Sequence, residues 1–294
     1  MQDNESIEQI RRLTAPLAPL PTGVAPRIEP MAGIRAVLFD VYGTLVISGC
    51  GDIGLTDTRA GRDHFRKALN AAGIDTDALP QGLDGAAALI EVIGMSHASA
   101  RGQGVDYPEV DILAIWDALL SSLDIKADGR SLRRIAIEYE FRSNAVWPMP
   151  GLGDVIEALA QRGLVLGIVS NAQFYTPLML AAFLGHDIDA AGFDPRCCAW
   201  SYEHRVGKPS IRVFEPALAA LHRDHGIEPE QVLYIGNDLR NDIWPASQLG
   251  CRTALFAGDA RSLRLREDDA RLCDVHPDRV VTTLDQITNH LLSR

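Results

Sequence analysis

The chain lacks any run of apolar residues that approaches the ~20 residues needed to cross a membrane as a helix. Its first residues also lack the hydrophobic core of a secretory signal peptide. These two absences exclude a membrane-embedded class of protein. They predict a protein that works in the cytoplasm and has no membrane partner.

The chain also lacks an excess of positive charge and a cysteine pattern typical of disulfides or zinc sites. Lys and Arg together number 28 against 39 Asp and Glu, which gives a net charge of −11. A nucleic-acid partner is therefore not expected, because its binding surface would show a basic stripe. The five cysteines are odd in number and have no CxxC spacing, so neither a disulfide framework nor a zinc site is indicated. The expected partner is a small molecule, and an anionic one would need local positive groups or a bound cation.

The chain does contain short apolar runs, which alternate with segments whose apolar residues repeat at the spacing of an α-helix. The 294 residues, 47% of them hydrophobic, are enough to bury a full core. The runs predicted to form strands lie within residues 34–47 and at 164–169, 231–235, 253–256 and 280–283. Strands that are buried on both faces and separated by helices form parallel sheets. The predicted fold class is therefore α/β, with a doubly wound, Rossmann-like parallel sheet as its core.

Residues 51–147 show helical periods and no convincing strand. An all-helical domain is therefore predicted to interrupt the core after its first strand. Its second helix is predicted over 84–96. The polar segment 96–106 that follows is interpreted either as a substrate-specificity loop or as a plain connector. The core then comprises residues 33–50 and 148–294, and residues 1–32 form an N-terminal extension.

Polar side chains stand where the predicted strands end or where the helices that face the same edge begin. These residues are Asp40, Ser170, Asn171, Lys208, Asn237, Asp238 and Asp242. The carboxyl ends of parallel strands meet at one edge of a sheet, and helix N-termini there favour anions. Carboxylates, an ammonium, a hydroxyl and free backbone N–H groups are what a divalent cation and a phosphate require together. The sequence therefore predicts a site for both at this edge.

Four motifs in the same order resemble those of the haloacid dehalogenase superfamily. They are Asp40-Val41-Tyr42-Gly43-Thr44, Ser170-Asn171, Lys208-Pro209, and Gly236-Asn237-Asp238-Leu239-Arg240-Asn241-Asp242. Four ordered motifs at strand ends are far more specific than any one of them alone. The resemblance covers about residue 33 to the C-terminus. It implies a hydrolase in which the all-helical domain is a cap inserted after motif one.

The resemblance also implies roles for individual residues. Asp40 would be the nucleophile and would form a covalent aspartyl intermediate. Ser170 and the backbone at Asn171 would bind the transferring group, and Lys208 would offset the crowding of negative charge around Asp40. Tyr42 joins this set because it stands two residues after the nucleophile.

Mg²⁺ is the cofactor that the resemblance implies. Asp40, the backbone carbonyl of Tyr42 and an acid of motif four would hold it. Asn237 occupies the place where many relatives carry the first of these acids. Asp238 is the first choice for the metal ligand and Asp242 the second.

Tyr42 departs from the phosphatase pattern of the family. Phosphatases usually carry a second Asp there, which protonates the leaving oxygen, whereas a phenol with a pKa near ~10 is a poor acid. The family's 2-haloacid dehalogenases also carry Tyr at this position. They need no metal, however, and they have Tyr where this chain has Phe214.

The prediction is a Mg²⁺-dependent phosphohydrolase that acts on a small phosphorylated metabolite through an aspartyl-phosphate intermediate. The first alternative is a metal-free 2-haloacid dehalogenase that works through an aspartyl ester. The second is a non-catalytic relative that binds a phospholigand or a protein partner. Formation of a homodimer through the cap is left open by the sequence.

Overall fold

A computed structural model describes residues 2–49, 58–77 and 79–292. Cys50 and residues 51–57, where the all-helical domain is predicted to begin, lie outside the described residues. The strands in chain order are β1 (Ala36–Phe39), β2 (Val46–Ser48), β3 (Val146–Pro148), β4 (Val165–Ser170), β5 (Phe193–Trp200), β6 (Val232–Gly236), β7 (Arg252–Phe256) and β8 (Arg279–Val281).

The helices of the described residues pack on both faces of the sheet or above one edge. They are α1 (Gln2–Leu13), α2 (Thr58–Ala71), α3 (Gly85–Gly102), α4 (Ile112–Ser122), α5 (Gly129–Ser143), α6 (Leu152–Gln161), α7 (Tyr175–Leu184), α8 (Ser201–His204), α9 (Glu215–His225) and α10 (Trp244–Gln248). Single π-helical turns cover Leu239–Ile243 and Ile287–Leu291. None of the helices in these described ranges has the length and apolar composition to cross a membrane.

Six strands form one parallel sheet in the order β5-β4-β1-β6-β7-β8. The sequence of β1, AVLF, is buried at every position because the strand lies in the middle of the sheet with apolar layers on both sides. Phe39 at its end pairs with Ile168 of β4 and with Ile235 of β6. The three central strands therefore end at the same level, and the α/β prediction is confirmed.

The four helices α2 to α5, residues 58–143, stand between the antiparallel strands β2 and β3, and we call them the helical insert. Trp116 lies at its centre, fully buried, stacked on Phe65 and in edge contact with Tyr139. Aromatic pairs of this kind stabilise the packing of the insert helices, whose buried apolar residues belong to the same cluster as Phe39 of β1. The prediction that this part of the chain is helical is confirmed for the described residues.

The structure corrects three details of the sequence prediction. α3 continues to Gly102, so the polar segment 96–106 begins with helix. At the other end of α3, Asp84 is the N-cap and accepts a hydrogen bond from the Ala87 N–H. β5 was not predicted at all. Asp242 lies inside the π-helical turn before α10 and not at the start of a regular helix.

Residues 2–32 run along the outside of the molecule. α1 contacts both α5 of the helical insert and α7 of the core, with Glu5 paired to Arg130. Further on, Arg27 forms an antiparallel bridge to Val280 at the far edge of the sheet. The division into extension, core and cap stays a prediction.

Candidate active site

The predicted site residues meet at the carboxyl edge of the sheet, beneath the helical insert. They open into a cavity of about 540 Å³. The sequence-predicted residues that line it are Asp40, Tyr42, Asn171, Lys208, Asn237, Asp238 and Asp242. Ser170 is fully buried below the cavity floor, where its hydroxyl donates to Asp40 Oδ1 at 3.0 Å.

Lys208 joins two of the acids. Its Nζ lies 2.6 Å from Asp40 Oδ1 and 2.5 Å from Asp242 Oδ1, and all three side chains are almost fully buried. Burial alone would lower the pKa of Lys208, but the two carboxylates outweigh it and the pKa is raised. The ammonium therefore stays charged and offsets two anions at once.

Tyr234 is a member of the site that the sequence did not reveal. Its hydroxyl lies 3.2 Å from Lys208 Nζ and 3.1 Å from Asp242 Oδ1, and it donates to the Val169 carbonyl at 2.8 Å. Within an apolar strand a tyrosine looks like a core residue, so no sequence signal marks it.

Burial raises the pKa of Asp242, an effect that Lys208 opposes.

Asn171 positions the backbone that carries Lys208. Its side-chain oxygen accepts from the Lys208 N–H at 2.7 Å, and its amide nitrogen donates to the Lys208 carbonyl at 3.4 Å. The side chain thus links the second strand end to the third motif, in addition to the backbone role that was predicted for it.

Asp238 is held by other protein groups. Arg266 forms a two-point ion pair with its carboxylate, with contacts of 3.1 and 2.5 Å. The same carboxylate accepts from the backbone N–H groups of Arg240 and Asn241 and so caps the π-helical turn. A cation at Asp238 would have to compete with Arg266.

The other oxygen of Asp40 has a weaker partner. Thr44 Oγ1 lies 3.4 Å from Asp40 Oδ2 and 3.4 Å from Asn237 Oδ1. Asn237 Nδ2 is turned away and donates to the Ser262 carbonyl at 2.5 Å. One anionic and one neutral oxygen therefore face the same hydroxyl, and hard oxygen donors of this kind suit Mg²⁺.

Tyr42 presents its phenol to the cavity but not as a free acid. Its hydroxyl shares a hydrogen bond of 3.0 Å with Thr176 Oγ1. Burial raises the pKa of Tyr42 well above its ordinary value, and the nearby Glu140 and Asp40 raise it further. The hydroxyl stays protonated at every physiological pH.

The helical insert and the segment after α3 add side chains to the cavity that were not predicted as site residues. They are His97, Arg101, Tyr107, Glu109, Glu140 and Asn144. Burial raises the pKa of both glutamates. His97 and Arg101 belong to the segment 96–106, for which a substrate-specificity loop was one of the two interpretations. Glu140 reads as ordinary helix surface in the sequence, because only the docking of the insert onto the sheet edge brings it to the site.

A parallel sheet that carries a buried aspartate, a lysine and further acids at its carboxyl edge defines the class of the protein as an α/β enzyme. The family model of the haloacid dehalogenase-like hydrolases matches residues 34–250. The chain belongs to this family, and the superfamily prediction is confirmed.

Two curated relatives are similar at low identity. The phosphoglycolate phosphatase of Escherichia coli K12 is 27% identical over 228 residues, which cover 74% of this chain and 79% of the relative. The N-acetylmuramic acid 6-phosphate phosphatase of Pseudomonas aeruginosa is 27% identical over 227 residues, covering 75% and 80%. Among solved structures, the 2-haloacid dehalogenase of Pseudomonas syringae pv. Tomato DC3000 has a TM-score of 0.53 at 19% identity, covering 86% of this chain and 96% of that one. The last likeness shows the fold.

Proposed function

We propose that the protein is a Mg²⁺-dependent phosphohydrolase that acts on a small phosphorylated metabolite through an aspartyl-phosphate intermediate on Asp40. The observation that carries the proposal is the buried Asp40–Lys208–Asp242 arrangement that lines the cavity. Both curated relatives reported above are named as phosphatases, which favours phosphoryl transfer.

The proposed reaction has two chemical steps. The Asp40 carboxylate attacks phosphorus, the ester P–O bond breaks, and the leaving oxygen takes up a proton from water in the cavity, because the Tyr42 phenol is a poor acid. Water then cleaves the acyl phosphate, which restores the Asp40 carboxylate and releases inorganic phosphate. Lys208 offsets negative charge at the attacking group, and the Ser170 hydroxyl fixes the orientation of the carboxylate.

The ligand set for Mg²⁺ comprises Asp40, the carbonyl of Tyr42 and a residue of motif four. Bound there, the ion would neutralise charge on the phosphoryl group. Asp238 and Asp242 remain the proposed acids, but both have their oxygens engaged by protein groups. Asn237 Oδ1 is the motif-four oxygen whose described contact is weakest, at 3.4 Å.

Dehalogenation is the second candidate, and Tyr42 favours it. A halide leaves without a proton, so a phenol fixed to Thr176 would be no disadvantage. Three buried acids share two protein cations, Lys208 and Arg266. The negative charge left over favours a bound cation and argues against this candidate, because uncompensated buried charge is costly. The helical insert would serve as the cap in either reaction. The cytoplasmic location and the homodimer remain predictions from the sequence.

Parallel measurements of phosphate release and halide release test the proposal. We expect phosphate release from simple phosphate monoesters that requires added Mg²⁺, and no chloride release from 2-chloropropionate. Asp40→Asn should abolish phosphate release, whereas Asp154→Asn, a substitution on the exposed start of α6, should not. Metal-independent chloride release without phosphate release would contradict the proposal and select the dehalogenase.

A further inference from the structure

His97 and Arg101 lie one helical turn apart near the end of α3, and both line the cavity that contains Asp40. Residues four apart on a helix are neighbours on the same face. The proposed chemistry uses neither of them. They stand on the wall contributed by the helical insert, whereas Asp40 and Lys208 belong to the sheet edge.

His97 has a buried nitrogen without a partner. Its Nε2 atom is shielded from solvent and makes no hydrogen bond to any described residue. Burial lowers the pKa of His97, and the positive charge of Arg101 lowers it further. A buried polar atom without a partner is costly. A ligand in the cavity would remove that cost.

Arg101 carries a positive charge that no neighbouring acid neutralises. Among the described residues, no carboxylate lies within ion-pair distance of its guanidinium, whereas Arg133 is paired with Asp3 at 2.7 Å and Arg142 with Glu138 at 2.8 Å. A guanidinium at the wall of a cavity is suited to two-point binding of a carboxylate or a phosphate.

The two glutamates of the cavity do not cancel this charge. Glu109 accepts hydrogen bonds from Ser201 Oγ at 2.9 Å and from the Val110 N–H at 2.9 Å. Glu140 accepts from Tyr175 OH at 3.1 Å. Burial raises the pKa of both carboxyl groups. Both are engaged by other protein groups, and neither lies within ion-pair distance of Arg101.

We infer that His97 and Arg101 form a second anion subsite, so that the substrate is a phosphate monoester with a further oxyanion group, a carboxylate or a second phosphate, at its other end. This inference rests on the proposed phosphohydrolase function. The phosphate ester lies at Asp40 and Lys208, and the second group binds the Arg101 guanidinium and the orphaned His97 nitrogen. A cavity of about 540 Å³ falls within the ordinary size of sites for small molecules.

Kinetics on three compounds test the subsite. The compounds are 2-phosphoglycolate, which has a carboxylate, propane-1,3-diol bisphosphate, which has a second phosphate, and ethyl phosphate, which has neither. We expect kcat/KM for one of the first two to exceed that for ethyl phosphate on the order of 10-fold to 100-fold, as one charge-assisted contact allows. The compound that shows the larger preference identifies the second group.

Arg101→Met should reduce that preference to nearly one, mainly through KM, and His97→Leu should reduce it in part. Arg130→Met is the matched control, because Arg130 is a surface arginine of the insert that pairs with Glu5 outside the cavity. It should keep the full preference. Circular dichroism would test whether each variant is folded.

The outcomes separate the inference from the function on which it rests. Equal kcat/KM for all three compounds, or a preference that Arg101→Met leaves intact, would overturn the subsite while the phosphohydrolase stands. Absence of phosphate release from every compound would overturn the proposed function and the subsite with it.

Discussion

The hydroxyl of Tyr42 lies 3.0 Å from that of Thr176 in α7. Under the proposed function the phenol stands where an acid would protonate the leaving group, and its only described hydrogen-bond partner is another hydroxyl. Because burial raises the pKa of Tyr42, it is a still weaker proton donor than tyrosine in water.

The rate of hydrolysis should consequently depend steeply on the leaving group. We expect kcat for ethyl phosphate to be about 10² or more below kcat for 4-nitrophenyl phosphate, since a positioned acid contributes at least this factor. Tyr42→Asp should raise the ethyl phosphate rate by about 10-fold or more, and Tyr42→Phe should keep the steep dependence. The prediction would be contradicted if kcat of the unmodified protein depended only weakly on the leaving group and became strongly dependent on it in Glu140→Gln. That result would identify Glu140 as the acid.

Removing the cation between two buried acids should destabilise the fold. Lys208→Met leaves Asp40 and Asp242 without a counter-charge, which should lower the free energy of unfolding by about 3–5 kcal/mol at pH 8 and abolish activity. Burial raises the pKa of Asp242 to about 6, and the loss of Lys208 removes the charge that opposes this effect, so the deficit should shrink as the pH falls and Asp242 takes up a proton. Urea unfolding at pH 8 and pH 5 measures it.

The double variant Lys208→Met, Asp242→Asn serves as the control for that prediction. It should recover much of the stability without recovering activity, because one of the two uncompensated charges is gone. A deficit that is the same at both pH values would mean that the lysine contributes packing and not charge.

Gly236 leaves room for Asp242. A Cβ at Gly236 would lie 2.3 Å from Asp242 Cγ, so Gly236→Ala must displace the acid that holds Lys208. We expect kcat to fall by about 10²-fold, as for other small displacements of catalytic groups. Gly153→Ala, where no atom lies within 4 Å of the added Cβ, should leave kcat unchanged and stabilise α6 by up to ~1 kcal/mol. Equal effects of the two changes on kcat would contradict the argument.

The Mg²⁺ affinity should respond to the charge at residue 237. Asn237→Asp adds an anionic oxygen beside Asp40, and we expect the dissociation constant for Mg²⁺ to fall by about 10-fold. Arg266→Met should tighten binding as well if Asp238 is a ligand, because it removes the competing guanidinium. Isothermal titration of the protein without substrate measures both. An unchanged affinity in Asn237→Asp would exclude residue 237 from the metal site.

The central strands and the residues at their ends could be predicted from the sequence. Buried strands such as β1 and β6 are uninterrupted apolar runs, and a parallel sheet brings their ends together whatever the loops do. Asp40 and Lys208 could therefore be placed at one site although 168 positions separate them.

β5 could not be predicted, because its sequence FDPRCCAW contains proline and two charged residues, and its middle positions are exposed. It becomes a strand because the free edge of β4 accepts it, with Ile168 paired to Cys198. Proline and charge are typical of such edges and carry no strand signal of their own. The pairing is a property of the sheet and not of the segment.

The cavity wall supplied by the helical insert was equally beyond prediction. Helical periodicity places Glu140 on a helix but does not say which helix faces meet the sheet edge. His97 lies in the segment 96–106, which was interpreted as a substrate-specificity loop or a connector and which the structure shows to begin with helix. The segment after α3 docks on the core through the bridge from Pro108 to Val206, two residues before Lys208. This long-range contact, which has no local sequence signature, decides which insert side chains reach the cavity.

The N-terminal helix α1 connects the insert to the core from outside. Gln9 Nε2 donates to the Arg134 carbonyl in α5, while Arg11 Nε donates to the Ala182 carbonyl in α7. Any rotation that lifts the insert away from the sheet edge must break one of these two attachments. α1 therefore adds to the energetic cost of any such rotation, together with the bridge from Pro108 to Val206, although none of its residues lines the cavity.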